Sequence, residues 1–119
     1  MPEMAKHSGG CHCGRVRYEV ETDLAMVLDC NCSFCQKRGA LWTYVVGDQF
    51  KLLSGEDDLA DYQFNRKVIH HLFCRSCGVG SYSSGQGEDG SQGYGINVRC
   101  LDDVDIATLT LTPYDGKSR

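Results

Sequence analysis

The sequence predicts a mainly β protein, and three observations support this prediction. Apolar residues alternate with polar ones in short segments, as at Val16, Tyr18 and Val20, which is typical of half-buried strands. Turn pairs such as Gly47-Asp48 and Ser54-Gly55 separate these segments. No segment has a long helical periodicity. With 119 residues, of which 41% are hydrophobic and 24% charged, the chain is expected to form one globular domain.

The first half of the chain contains several of these predicted strands. After the strand at 16–20, a short apolar run at 25–29 leads into Cys30. Residues 41–46 are rich in β-branched and aromatic side chains, and Phe50 and Leu52 follow the turn at 47–48, so this region is predicted to form a hairpin. Residues 59–64 could form a strand or a single helical turn.

The second half continues the pattern. Residues 68–73 are predicted to form a strand that leads into Cys74. The polar, glycine-rich stretch 85–93 is predicted to be a mobile loop. Tyr94, Ile96, Val98 and Cys100 are expected to share one face of the next strand. Residues 109–111 are predicted to form the last strand, with a tail from Pro113 onward.

Seven of the eight cysteines fall in three clusters: Cys11-x-Cys13, Cys30-x-Cys32-x-x-Cys35 and Cys74-x-x-Cys77. Such spacing points neighbouring thiols at one metal centre. Thiolates bind zinc or iron–sulfur clusters in preference to hard cations. A division into four and three ligands would give one closed tetrahedral site and one site with an open position. The spacing leaves the partition open, because Cys32 and Cys35 with Cys74 and Cys77 would also make a plausible zinc ribbon.

Composition and charge disfavour several classes of protein. The first ten residues have no apolar core of a signal peptide, so a reducing cytoplasm is expected and a disulfide framework is disfavoured. A net charge of −4 without a basic stripe argues against nucleic acid as a partner. No apolar run approaches the length of a membrane span. The oligomeric state is left open.

Four segments resemble the glutathione-dependent formaldehyde-activating enzyme family, which includes centromere protein V: residues 10–16 (GCHCGRV), 30–35 (CNCSFC), 73–78 (FCRSCG) and 97–101 (NVRCL). The similarity extends from about His7 to Leu111. It implies an Mss4-like fold of packed antiparallel sheets held by zinc knuckles. It also implies one zinc-binding domain over residues 7–112, followed by a tail over residues 113–119.

The resemblance further implies two zinc ions per chain. Cys11, Cys13, Cys74 and Cys77 would bind the structural zinc, and Cys30, Cys32 and Cys35 would bind the catalytic one. The implied activity is that of a carbon–sulfur lyase acting on a glutathione–aldehyde adduct, S-hydroxymethylglutathione or a related thiol compound. The implied partners are therefore small molecules, glutathione and an aldehyde.

Several residues near these cysteines have both a functional and a purely structural interpretation. Lys37 and Arg38 could contact the carboxylates of glutathione, or they could be solvated surface charges. His70 and His71 point to opposite sides of a strand, so one of them could face the site as an acid, a base or a fourth ligand. Either histidine could equally be an ordinary part of a sheet face.

Cys100 is the cysteine outside the clusters. Its position in the alternating pattern predicts a buried, inert thiol. The alternative is a reactive thiol beside Arg99, as in a methionine sulfoxide reductase of the B type, although those enzymes use two Cys-x-x-Cys knuckles. A second alternative is a zinc-stabilised binding module without catalysis, which would need only the closed four-cysteine site.

Overall fold

The structure is a computed structural model that describes residues 4–63, 69–86 and 91–116. Within these ranges the chain forms the helix α1 (Ser33–Arg38) and the strands β1 (Ala5–Gly10), β2 (Arg17–Thr22), β3 (Val27–Cys30), β4 (Trp42–Val46), β5 (Phe50–Ser54), β6 (Leu59–Tyr62), β7 (His70–Cys74), β8 (Tyr82–Gln86), β9 (Gln92–Asn97) and β10 (Leu111–Tyr114). Short 3₁₀ helices occupy Gly47–Gln49, Glu56–Asp58, Val98–Cys100 and Ile106–Thr108. The predicted mainly β class is confirmed.

The strands form two sheets. The small sheet has the order β1-β2-β5, and the large sheet has the order β10-β3-β4-β9-β8-β7-β6. Neighbouring strands are antiparallel except for β10, which runs parallel to β3 at the edge of the large sheet. The sheet order puts β3 between β10 and β4, and it puts β7 next to β6 at the opposite edge of the large sheet.

The hydrophobic core is built from the inward faces of both sheets. Tyr18 and Val20 of β2 are buried, as their alternation with charged residues predicts. The Tyr18 ring lies 5.7 Å from the ring of Tyr82 in β8, and its hydroxyl donates to the carbonyl of Ser81 at 3.0 Å. Ile96 of β9 is also buried, so the two sheets share one core.

The predicted hairpin at residues 41–52 is wrong. β4 pairs with β9 and β3, whereas β5 pairs with β2 in the other sheet. The 3₁₀ helix Gly47–Gln49 redirects the chain between the sheets, because Phe50 gains aromatic neighbours across the core. Its ring stacks on that of Tyr94 at 4.2 Å. Burial of an aromatic side chain thus prevails over the local turn signal.

The strand predicted to contain Cys100 is shorter than the pattern indicates. β9 ends at Asn97, whose side chain accepts a hydrogen bond from the backbone N–H of Arg99 at 3.2 Å. This contact starts the 3₁₀ helix Val98–Cys100, so Cys100 does not share a strand face with Tyr94 and Ile96.

Other predicted boundaries also shift. Gly85 and Gly93, predicted to lie in a loop, pair with each other in β8 and β9, and residues 87–90 lie outside the described residues. Residues 59–62 form a strand, while the predicted positions 64 and 68 are outside the described ranges. The last strand starts at Leu111 and includes Pro113, which the sequence placed in the tail. An edge strand tolerates proline because one side of its ladder needs no N–H donor.

Candidate metal centres

Four cysteines meet where the loop after β1 approaches the end of β7. The sulfur atoms of Cys11, Cys13, Cys74 and Cys77 all lie within 4.8 Å of one another, and we call this group the four-cysteine cluster. The Cys13 sulfur lies 3.5 Å from that of Cys11 and 3.6 Å from that of Cys74. Cys11 and Cys74 are buried at the end of the hydrophobic core, so the cluster joins that core to the surface.

Two tight turns shape this cluster. Gly14 and Gly78 follow the cysteine pairs with φ values of 85° and 82°, a left-handed conformation that favours glycine. The backbone N–H of Val16 donates to the Cys11 sulfur at 3.3 Å. Hydrogen bonds from the backbone at Val79 and Cys13 lower the pKa of Cys77 to about 6. Donors of this kind stabilise thiolates, which is the form that binds a metal.

The remaining three clustered cysteines form a second group. Cys30 ends β3, Cys32 caps α1, and Cys35 lies inside α1, with all three sulfurs within 4.8 Å of one another. We call this group the three-cysteine cluster. The backbone N–H of Cys35 donates to the Cys32 sulfur at 3.3 Å, which is the capping contact of the helix. The helix therefore fixes the relative position of two of the three sulfurs.

Trp42 is part of this second site, whereas the sequence left it open between the core and the wall of a pocket. Its indole Nε1–H donates to the Cys35 sulfur at 3.3 Å, and its side chain is 3% exposed. Burial raises the pKa of Cys35 to about 12, and the indole hydrogen bond acts against that rise. No sequence signal identifies this contact, because it depends on how α1 folds back onto β4.

The C-terminal strand covers Cys30. The backbone N–H of Asn31 donates to the carbonyl of Tyr114 at 3.0 Å, and the Asn31 amide donates to Asp115 at the same distance. A Cβ atom added at Gly116 would lie 2.5 Å from the Cys30 sulfur. The segment 114–116 therefore packs directly against the three-cysteine cluster, and glycine is needed at its point of closest approach.

The donor sets of both groups fit zinc. Four thiols complete a tetrahedral site, while the three-cysteine cluster has no further His, Asp or Glu ligand among the described residues. The second group could therefore hold a metal ion that keeps one position for another ligand. The zinc ribbon that would combine Cys32 and Cys35 with Cys74 and Cys77 is not formed. The two groups are those that the family resemblance implied.

The two cations that follow Cys35 have different surroundings. Lys37 is exposed, whereas Arg38 is half-buried with its guanidinium carbon 4.6 Å from the centre of the Phe34 ring. The sequence treated them as a pair, yet α1 turns one toward solvent and the other toward the large sheet.

The two adjacent histidines also separate. His70 is exposed, and its Nδ1 lies 2.6 Å from a carboxylate oxygen of Asp61. His71 is half-buried, with its ring 4.3 Å from that of Phe34. Burial, and then the charge of Arg38, lowers the pKa of His71 to about 4, so it is uncharged at neutral pH. Neither histidine belongs to a cysteine cluster.

Cys100 belongs to neither cluster. It is half-buried in the 3₁₀ helix Val98–Cys100, with its sulfur 4.0 Å from the carbonyl oxygen of Gly80. Burial raises the pKa of Cys100 to about 11, so the thiol is protonated at neutral pH. A reactive cysteine needs the opposite shift, which disfavours the sulfoxide reductase interpretation.

Two comparisons bear on the identity of this arrangement. Residues 6–114 match the family model described as glutathione-dependent formaldehyde-activating enzyme. The crystal structure of a Rhodobacter sphaeroides protein is similar to this one, with a TM-score of 0.76 and 35% sequence identity. The match covers 89% of this chain and 97% of the other. With its two cysteine clusters and a match over nearly its whole length, the chain belongs to the glutathione-dependent formaldehyde-activating enzyme family.

Proposed function

We propose that this protein is a zinc-dependent enzyme of the carbon–sulfur lyase class that joins glutathione, or a related small thiol, to an aldehyde. In this reaction a bond forms between the sulfur and the carbonyl carbon, the C=O π bond breaks, and the thiol proton ends on the new hydroxyl oxygen. The supporting observation is the three-cysteine cluster, which is separate from a complete four-cysteine set. A binding module would need only the complete set.

The two clusters have different proposed roles. The four-cysteine cluster holds a structural zinc, since its ligands join the loop after β1 to the end of β7. The three-cysteine cluster holds the second zinc, which would supply an open position for a thiolate ligand. Trp42 stabilises the negative charge on Cys35 through its N–H donor. The segment around Gly116 packs against Cys30 on one side.

Substrate contacts follow from the position of α1. Lys37 is exposed two residues after Cys35, so we propose that it meets a carboxylate of the tripeptide at the surface. Arg38 is turned inward, toward Gly80.

The cysteines also bear on the location of the protein in the cell. We propose a cytoplasmic location, because a reducing compartment keeps cysteines in the thiol form in which the two clusters could bind metal. No helix in the described part of the chain has the length and apolar character needed to cross a membrane.

Metal analysis and a spectroscopic titration test this function. Protein purified without chelator should contain two zinc ions per chain, and Cys32→Ser should contain one. In cobalt-substituted protein, added glutathione should change the thiolate-to-metal charge-transfer band, because a new thiolate ligand joins the metal. Cys32→Ser, which lacks the complete second site, is the matched control. A spectrum that stays unchanged at saturating glutathione would contradict the proposed enzymatic function and favour a zinc-stabilised binding module.

A further inference from the structure

Arg38 occupies an unusual position for an arginine at the end of a helix. Its guanidinium lies over the Phe34 ring. A Cβ atom at Gly80 would collide with the same guanidinium, so the absence of a side chain there makes room for the cation. The positive charge of Arg38 is therefore held between α1 and the segment that connects β7 to β8.

This charge has no carboxylate partner in the part of the chain that the structure describes. The ion pairs within residues 4–63, 69–86 and 91–116 do not include Arg38, and its buried Nη1 has no hydrogen-bond partner there. Loss of water lowers the pKa of Arg38, while the charges of Cys35 and Cys100, when ionised, act in the opposite direction. A half-buried cation without a counter-ion is unfavourable, so an anion is expected nearby in the functional state.

The three-cysteine cluster supplies such an anion when it is loaded. Three thiolates and one divalent cation leave one net negative charge, and a thiolate as the additional ligand makes it two. A neutral additional ligand leaves the charge unchanged. Arg38 follows Cys35 by three positions in α1, so the two residues are neighbours on the helix surface. The cation therefore interacts more strongly with the thiolate-bound site than with any neutral alternative.

We propose that Arg38 is the charge-compensating residue of the three-cysteine cluster, and that it makes this site prefer an anionic thiolate to a neutral ligand. Arg38 is a positioning residue in this role, because it acts through Cys35 and does not itself hold the substrate. The inference rests on the proposed function and adds the basis of its ligand preference. It also assigns different tasks to Lys37 and Arg38.

Two ligands of different charge test this preference. Cobalt-substituted wild type, Arg38→Met, Arg38→Lys and the neighbouring control Lys37→Met are titrated at one pH with 2-mercaptoethanol and, separately, with imidazole and with glutathione. Arg38→Met should weaken mercaptoethanol binding about tenfold, the low end of what an opposite charge contributes, and leave imidazole binding nearly unchanged. Arg38→Lys should restore part of the thiolate affinity. Lys37→Met should leave the binding of mercaptoethanol and imidazole unchanged, because neither molecule carries the carboxylate that Lys37 is proposed to meet. Arg38→Gln replaces Arg38→Met if the methionine variant does not fold.

Three outcomes would overturn the inference. Unchanged mercaptoethanol binding in Arg38→Met would show that the charge does not reach the site. An equal loss for both ligands would show a merely structural role. A loss for glutathione without a loss for mercaptoethanol would show that Arg38 contacts a substrate carboxylate instead. If the charge-transfer band of wild type does not change with any thiol, the proposed function fails, which is a different result from failure at Arg38 alone.

Discussion

Replacement of Trp42 by phenylalanine should weaken metal binding at the three-cysteine cluster and leave the four-cysteine cluster unaffected. The indole Nε1–H donates to the Cys35 sulfur at 3.3 Å. Phenylalanine keeps most of the buried ring but has no donor, so the sulfur loses a hydrogen bond in an environment with little water. Cys35 must be a thiolate to bind a metal, and a thiolate depends on such donors more than a thiol does.

The size of this effect follows from the charge on the acceptor. A hydrogen bond to a charged group contributes about 1.5–3 kcal/mol, which corresponds to a loss of about 10- to 150-fold in metal affinity. Removal of an outer partner of a metal ligand typically has a similar effect, about 10- to 100-fold. The smaller ring also leaves a cavity that costs about 1–2 kcal/mol of folding free energy, which a folded domain should tolerate.

Competition with a metallochromic indicator measures both affinities in one sample. The four-cysteine cluster of the same molecule is the internal control, since Trp42 does not contact it in the hydrogen bonds described. We expect one affinity to fall and the other to stay constant. The reasoning about charge on Cys35 is wrong if Trp42→Phe retains the wild-type metal affinity of the three-cysteine cluster within about twofold, or if it lowers the affinities of both clusters equally.

Three further outcomes are expected. Cys74→Ser should unfold the chain, whereas Cys32→Ser should keep a folded domain that has lost only one metal, as read by circular dichroism and metal analysis; the reverse pattern would exchange the roles of the two clusters. Cys100 should resist alkylation in the folded, zinc-loaded protein, because burial raises its pKa to about 11, and Cys100→Ala should keep the wild-type activity. Rapid alkylation, together with methionine sulfoxide reduction that depends on Cys100, would support the reductase instead. Gly116→Ala should weaken metal binding at the three-cysteine cluster only, since its Cβ would lie 2.5 Å from the Cys30 sulfur; equal affinities would show that the segment moves aside.

Patterns of neighbouring residues in the sequence were sufficient to predict the local features of this protein. The burial of Tyr18 and Val20 follows from a period of two, and the tight turns at Gly14 and Gly78 follow from the conformational freedom of glycine. Both signals are local, because they depend on residues that lie next to one another in the chain.

Features that depend on tertiary contacts could not be predicted in this way. The Gly47-Asp48 pair is compatible with a hairpin, and only the aromatic partners of Phe50 across the core decide against it. Likewise, Lys37 and Arg38 are two neighbouring cations in the sequence. Only the space left by Gly80, which accommodates the guanidinium of Arg38, shows that the two have different surroundings. Spacing left the partition of the cysteines open as well, because it does not say which loops meet.

The two clusters differ in how far apart their ligands lie along the chain, and this difference has a thermodynamic consequence. Cys13 and Cys74 are 61 positions apart, whereas the three-cysteine cluster lies within a single short segment. In an unfolded chain a metal could join these distant ligands only by closing a long loop, which costs about 4 kcal/mol in chain entropy, so a metal at the four-cysteine cluster binds the native state preferentially. The short segment 30–35 keeps its three thiols together even in an unfolded chain, so metal bound there favours the native state less. Zinc at the two sites is therefore expected to contribute unequally to thermal stability, with the long-range site governing whether the chain folds.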